Sequence, residues 1–139
     1  MIYVLDTTTI SALMRGDTPA IARLKGVLRS QVLLPQPAVA EIAYGLARMR
    51  PSKRRTALQV RFELFRAELR RAIWDDDVSA AFGEIKASLE RRGERLEDFD
   101  VAMAAHAVAL GATLVSANLR HMRRVEGLAL QDWSLAGLR

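Results

Sequence analysis

Short apolar segments, separated by longer stretches with helical spacing, are the feature that most constrains the fold of this chain. Each segment has the length and apolar character of a buried strand. The segments lie at residues 2–5, 31–34, 72–74, 112–115 and 128–130. With the helical stretches between them they give the order β-α-α-β-α-α-β-α-α-β-α-β, in which crossover helices join parallel strands. We therefore predict an α/β fold, a three-layer α/β/α arrangement with a central, mainly parallel sheet of four to five strands.

The first apolar segment ends in a carboxylate. Ile2 to Leu5 precede Asp6, and Asp6 is followed by three threonines and a short helical pattern. In open α/β sheets, ligands bind in the crevice beyond the carboxyl ends of the strands. Asp6 is therefore the first candidate for a functional side chain.

Three more polar side chains are predicted at the same edge of the sheet. Glu41 lies early in the helix after the second strand, Asp100 lies near the start of an alanine-rich helix, and Asn118 follows the fourth strand. Carboxylates brought together repel one another, so a stable cluster implies a bound cation. Oxygen ligands and the absence of cysteine favour Mg²⁺ or Mn²⁺ over Zn²⁺. Such an ion can activate water for hydrolysis of a phosphodiester, so no protein nucleophile is required.

The composition fits one cytoplasmic domain. Half of the 139 residues are apolar, which is enough for a single core in a domain spanning residues 1–139. The chain has no cysteine, which excludes disulfides, thiolate metal sites and cysteine nucleophiles. The sequence shows neither a signal peptide nor an apolar run of membrane-spanning length, so a cytoplasmic location is expected.

Positive charge is concentrated in one region of the sequence. The formal net charge is +5, and residues 48–71 contain nine Lys or Arg against two Glu. Such a cluster is either the solvated face of a helix or a track for a polyanion backbone. A phosphodiester site nearby would favour the second interpretation.

Four stretches resemble motifs of the PIN-domain ribonucleases, and more narrowly of the VapC-type toxins of bacterial toxin–antitoxin pairs. They are VLDT at 4–7 with IS at 10–11, VAEIAYGL at 39–46, DFDVAMAAHA at 98–107, and GATLVSANLRHM at 111–122, which runs on to VEGL at 125–128 and DW at 132–133. Their order and spacing together carry the resemblance, which covers nearly the whole chain.

The resemblance implies a Mg²⁺-dependent endoribonuclease toxin with a PIN-like fold, for which Mn²⁺ would be a substitute cofactor. It also implies an RNA substrate, a homodimer, and a small antitoxin partner that inserts a segment into the acidic groove. Asp6, Glu41 and Asp100 match the metal-binding acids, and Asn118 matches a position that assists as a secondary ligand or by orienting water. Candidates for supporting these residues or contacting RNA are Thr7, Ser116, Arg120 and His121.

Two other functions remain open from the sequence. A catalytically silent PIN fold would act as a nucleic-acid-binding or regulatory module, although the presence of all three acids argues against it. A phosphatase with Asp6 as its nucleophile would need a second acid two residues later, where Thr8 stands, and a lysine at the site.

Several residues have structural interpretations. Thr18 is predicted to cap one helix and the acidic run 75–77 to cap another. Asp98 is interpreted as a helix cap, with a contribution of charge to the metal site as the alternative. His106 is interpreted as a hydrogen-bonded core or surface residue rather than a catalytic base, and His121 has a structural role as its alternative to phosphate contact.

Overall fold

The computed structural model describes residues 1–134, which form a five-stranded sheet and its connecting helices. The strands are β1 (Tyr3–Leu5), β2 (Val32–Pro35), β3 (Arg70–Ala72), β4 (Thr113–Val115) and β5 (Leu130–Gln131). The helices are α1 (Thr7–Met14), α2 (Thr18–Lys25), α3 (Gln36–Ala47), α4 (Lys53–Glu68), α5 (Asp76–Arg91), α6 (Asp98–Leu110) and α7 (Leu119–Met122), with a 3-10 turn at Arg29–Gln31. The predicted order of strands and helices is confirmed. The last five residues of the expected domain, 135–139, lie outside the described part.

The sheet is parallel throughout, in the order β3-β2-β1-β4-β5. The central strand β1 pairs with β2 on one side and with β4 on the other, and Val4 lies opposite Leu33 and Leu114. Val4 and Leu114 are fully buried, as expected of strands with helices packed against them. The strand order reverses at β1 and β4, which makes their carboxyl ends the place where a ligand crevice is expected.

Two predicted strands are displaced by two residues. The third strand is Arg70–Ala72 instead of 72–74, because Arg70 and Arg71 pair with Leu33 and Leu34 at the edge of the sheet. Arg70 is exposed, and Arg71 is partly buried with its guanidinium donating to the Arg66 carbonyl at 3.3 Å. The last strand is Leu130–Gln131 instead of 128–130, and Leu128 instead packs against the apolar cluster of α5 and α6.

Polar side chains cap the starts of α2 and α5, and the cap predicted for α2 is corrected by one residue. Asp17, not Thr18, caps α2, since its carboxylate accepts a hydrogen bond from the Ala20 amide at 3.1 Å. The predicted acidic cap is confirmed at Asp75, which accepts from the Val78 amide at 3.0 Å. Gly111 ends α6 at φ +61°, a backbone conformation that side chains with a Cβ rarely adopt.

The basic helix α4 packs through its apolar seam. Phe62 is buried, with Leu58 and Phe65 partly buried beside it. Two of the arginines serve the fold, since Arg61 donates to the Met14 carbonyl at 2.6 Å and Arg55 donates to the Met49 carbonyl at 3.2 Å. Across residues 1–134, no helix is both long and apolar enough to cross a membrane.

Candidate active site

Asp6 is a buried carboxylate at the start of α1. Its side chain is only 3% exposed. Its Oδ1 accepts hydrogen bonds from the Thr9 amide at 3.0 Å and from the Thr8 hydroxyl at 2.6 Å. Burial raises the pKa of Asp6, and hydrogen bonds from Ser116, Thr8 and Thr9 oppose the rise. The first turn of α1 therefore fixes the orientation of this carboxylate.

Thr8 joins the ends of the two central strands. Its hydroxyl donates to Asp6 and accepts a hydrogen bond from the Ala117 amide at 2.9 Å. The Asp6 amide and the Thr9 hydroxyl both donate to the Val115 carbonyl, at 3.0 and 2.9 Å. Sequence reasoning assigned Thr8 no site role, although its spacing of two residues from Asp6 was a usable signal.

Glu41 approaches the same place from α3. It lies in the second turn of that helix and is partly buried. The Thr7 hydroxyl donates to Glu41 Oε1 at 2.6 Å, across 34 residues of sequence. Thr7 thus supports a predicted acid, as the sequence suggested, and it ties α1 to α3.

Asp100 lies in the first turn of α6 and faces the other two acids. Burial raises its pKa, and the negative charges of Glu41 and Asp6 raise it further, while His121 opposes them. None of the ion pairs within residues 1–134 involves any of the three acids. The structure therefore brings Asp6, Glu41 and Asp100 into electrostatic contact without a cationic side chain paired to them.

Asn118 and its neighbours lie in the segment that connects β4 to α7. The Asn118 amide donates to Ser116 Oγ at 2.9 Å, and His121 Nδ1 donates to Asn118 Oδ1 at 2.6 Å. Ser116 is fully buried and also hydrogen-bonds Asp6. Ser116 is therefore hydrogen-bonded to both Asp6 and the backbone of Asn118, while His121 orients the side-chain amide of Asn118.

A groove of about 710 Å³ runs along this site. One part of its lining is acidic or polar and contains Glu41, Asp100, Asn118 and His121. The rest of the lining contains three cationic side chains and an aromatic ring, Lys86, Arg95, Arg124 and Phe99, together with Leu96, Glu97 and Asp98. Arg120 is exposed and is not among the groove residues, whereas Arg124, which follows α7, does line the groove.

Two residues singled out in the sequence lie outside the acid cluster. The helix cap predicted at Asp98 is wrong, because Glu97 holds the cap position and Asp98 forms an ion pair with Lys86 at 3.0 Å. His106 is a core residue, as predicted. It is fully buried, and its Nδ1 donates to the Ala102 carbonyl at 2.8 Å.

The donor set suits a hard divalent cation. Asp6, Glu41, Asp100 and Asn118 offer only oxygen ligands, and such ligands are preferred by Mg²⁺ and Mn²⁺. Within residues 1–134, no three His, Asp or Glu side chains are grouped tightly enough to hold a metal by themselves. The Thr8 hydroxyl is hydrogen-bonded to one oxygen of Asp6, and the Thr7 hydroxyl to one oxygen of Glu41. Repulsion between the negative charges of the acids opposes their closer approach.

A match to a protein-family model identifies the family of this chain. The model described as PIN domain matches residues 3–128, which include all the site residues above. The chain belongs to the PIN domain family. The resemblance found in the sequence is thereby confirmed, and so is the α/β fold that it implied.

Relatives of this PIN-domain chain carry the name VapC. Ribonuclease VapC2 of Rickettsia felis is 27% identical over 135 residues, which are 96% of this chain and 98% of that protein. The tRNA(fMet)-specific endonuclease VapC of Salmonella typhimurium is 26% identical over 131 residues, which are 94% of this chain and 97% of that protein. Among solved structures, VapBC2 from Rickettsia felis bound to a DNA fragment from their promoter has a TM-score of 0.85 at 26% identity, covering 96% of this chain and all of that one.

Proposed function

We propose that this PIN-domain protein is a Mg²⁺-dependent endoribonuclease, the toxin of a toxin–antitoxin pair, and that it cleaves RNA phosphodiester bonds with water as the nucleophile. The observation that carries the proposal is the convergence of Asp6, Glu41 and Asp100, whose charges act on one another with no cationic side chain of residues 1–134 paired to them. Such an arrangement favours a bound cation. VapC relatives named as ribonucleases support the choice of RNA.

Asp6, Glu41 and Asp100 would hold the ion, with Asn118 beside them, and Mn²⁺ would serve as a substitute. When bound, the cation supplies activation of water and neutralises charge that develops on the phosphodiester. Thr7 and Thr8 keep the Glu41 and Asp6 carboxylates oriented through their hydrogen bonds.

Water would be the nucleophile because a bound cation can activate it directly, while the hydroxyls beside the acids hold the carboxylates in place. Thr7 donates to Glu41, Thr8 donates to Asp6, and Ser116 is buried between Asp6 and Asn118. These side chains therefore position the carboxylates.

The partner would be a small antitoxin that inserts a segment into the acidic groove. An arginine on that segment could pair with the carboxylates and replace the charge of the cation. The VapBC2 complex is a solved neighbour of the same fold. We further propose a single domain over residues 1–139, a homodimer and a cytoplasmic location.

The substrate would be a structured RNA cut in an unpaired region. Bases in single-stranded loops can be splayed out and recognised individually. The Salmonella typhimurium relative is named for tRNA(fMet), and an RNA of this class has such loops. Transfer RNA is therefore the first substrate to test.

The test is incubation of total bacterial RNA with the purified protein and Mg²⁺, alongside an EDTA control and Asp6→Asn. Discrete fragments that require both Mg²⁺ and Asp6 are expected, and their ends identify the target. Full cleavage by Asp6→Asn would refute the role of this acid. Intact RNA that still binds the protein would instead favour the silent binding module. Hydrolysis of a small phosphate ester, with RNA left intact, would favour a phosphatase.

A further inference from the structure

We infer that Phe99 is a stacking platform for an unpaired RNA base beside the cleavage site, with the basic wall of the groove contacting the flanking phosphates. The inference rests on the proposed ribonuclease function and specifies how that site recognises its substrate. It assigns binding to Phe99, Lys86 and Arg95, for which the sequence motifs indicate no role, and to Arg124, one of the arginines in residues 120–124 expected to contact RNA.

Phe99 is exposed in the first turn of α6, just before the buried middle of that helix. Its side chain is 47% exposed, whereas residues 101–107 of α6 are all buried. In the described chain, its ring makes no contact with another aromatic ring or with a cation. Nearly half of the side chain is open to solvent, where a planar partner can reach the ring.

The ring stands next to the acids. Phe99 directly precedes Asp100, and both residues line the groove together with Glu41. A base stacked on Phe99 would bring its own backbone phosphate towards the carboxylates. Stacking on an aromatic side chain is a common and sequence-tolerant way to hold single-stranded nucleic acid.

The basic wall, formed by Lys86, Arg95 and Arg124, supplies positive charge to the groove. Arg124 donates to the Arg95 carbonyl at 2.8 Å, and Arg92 donates to the Arg124 carbonyl at 2.7 Å. Lys86 is held in the groove by its ion pair with Asp98. Phosphates on either side of a stacked nucleotide would meet this wall, which favours a nucleic acid over an uncharged ligand.

The geometry selects single-stranded RNA over duplex RNA. In a duplex both faces of each base are covered by neighbouring bases, so a phenylalanine ring has no face to stack on. An unpaired base can leave the strand and cover Phe99. Phe99 therefore acts on binding, while Asp6, Glu41 and Asp100 act on hydrolysis.

The experiment compares fluorescein-labelled 15-nucleotide oligoadenylate and oligouridylate by fluorescence anisotropy in EDTA, which prevents cleavage. Adenine presents the larger face, so the wild type should bind oligoadenylate more tightly. Phe99→Ala should weaken oligoadenylate binding about 10-fold and remove the preference over oligouridylate. Phe99→Trp should keep the wild-type affinity for oligoadenylate and the preference over oligouridylate. Oligoadenylate should also quench the fluorescence of the added indole.

Leu110→Ala is the matched control. Leu110 is 41% exposed at the other end of α6, so its removal deletes exposed apolar surface of the same helix away from the groove. Its affinity for both oligonucleotides should equal that of the wild type. Arg124→Gln should weaken the binding of both oligonucleotides equally. It should also reduce the slope of log affinity against log salt concentration by about one.

The outcomes separate this inference from the proposed activity. If the wild type cleaves RNA but Phe99→Ala binds oligoadenylate as tightly as Leu110→Ala does, stacking on Phe99 is refuted and the nuclease stands. If the wild type cleaves no RNA while Phe99→Ala still loses the preference for oligoadenylate, the base platform stands and the activity is refuted.

Discussion

Thr8 shows how one hydroxyl can determine the geometry of an active site. It holds the Asp6 carboxylate on one side and the Ala117 amide on the other, so it couples the ends of β1 and β4. Asp6 is predicted to hold the cation, and residues that orient a metal ligand influence affinity strongly. Thr8 is therefore a positioning residue whose loss should be visible in activity.

Thr8→Val should lower RNA cleavage by about 10- to 100-fold, the usual effect of removing a partner of a metal ligand. Valine keeps the β-branched shape but leaves Asp6 and the Ala117 amide each without one hydrogen bond. Thr8→Ser keeps the hydroxyl and should retain most activity. The measurement is the initial rate on a defined target RNA at several Mg²⁺ concentrations, and equal rates for Thr8→Val and wild type would refute the role.

Asp100 should make the folded chain less stable as its carboxyl ionises. Its pKa is raised above the ordinary value of 3.8 by burial and by Glu41 and Asp6. Between the unfolded and folded pKa values the native state binds more protons, so the free energy of unfolding falls as pH rises. Asp100→Asn removes this titration, and its stability in EDTA should fall less than that of the wild type from about pH 4 to pH 7. Urea unfolding across this range measures the difference, and parallel pH profiles would contradict it.

The four predicted site residues could be placed from the sequence because topology alone brings them together. Asp6 and Asn118 follow adjacent parallel strands, and Glu41 and Asp100 lie near the starts of helices that enter the same edge. The roles of Thr8 and Phe99 depend on side-chain orientation and exposure. Apolar patterning does not encode these properties, so Phe99 could not be recognised, and only the spacing of Thr8 from Asp6 pointed to its role.

At the level of helices and strands, periodicity located the elements, and pairing set their ends. Residues 72–74 are more apolar than Arg70 and Arg71, yet the arginines form the strand because they lie opposite Leu33 and Leu34. Ile73 is 74% exposed, and Trp74 instead packs against Phe82 and His106. Strand bounds of this kind depend on partners distant in sequence, which a local pattern cannot supply.

The cap of α5 gives a prediction about stability. Asp75 accepts a hydrogen bond from the Val78 amide, while Asp77 lies in the first turn without that bond. Asp75→Ala should lower the free energy of unfolding by about 1 kcal/mol, the usual cost of losing a helix cap. Asp77→Ala loses only a favourable charge near the helix start and should cost less. Urea denaturation of the two variants tests this, and equal losses would show that the cap bond contributes nothing.

At the scale of the whole molecule, the sheet order explains why an acidic site occurs at this edge. The strand order reverses between β1 and β4, so the connections leave in opposite directions and open a crevice above their carboxyl ends. Asp6 and the 116–118 segment follow the adjacent strands at that edge, and α3 and α6 bring Glu41 and Asp100 to it. A site built this way has parts from across the chain, so ligand binding should stabilise the entire fold.

Mg²⁺ should therefore raise the thermal stability of the wild type. A ligand that binds only the folded state adds about 2.7 kcal/mol at a hundredfold excess over its Kd, which corresponds to a Tm increase of roughly 5–10 °C. Asp6→Asn loses a carboxylate that Mg²⁺ needs, yet asparagine can still cap α1, so this variant should fold and show a much smaller shift. Differential scanning calorimetry with Mg²⁺ and with EDTA measures both proteins. Equal shifts in the two would mean that the ion binds elsewhere, because a site that includes Asp6 must lose affinity when its charge is removed.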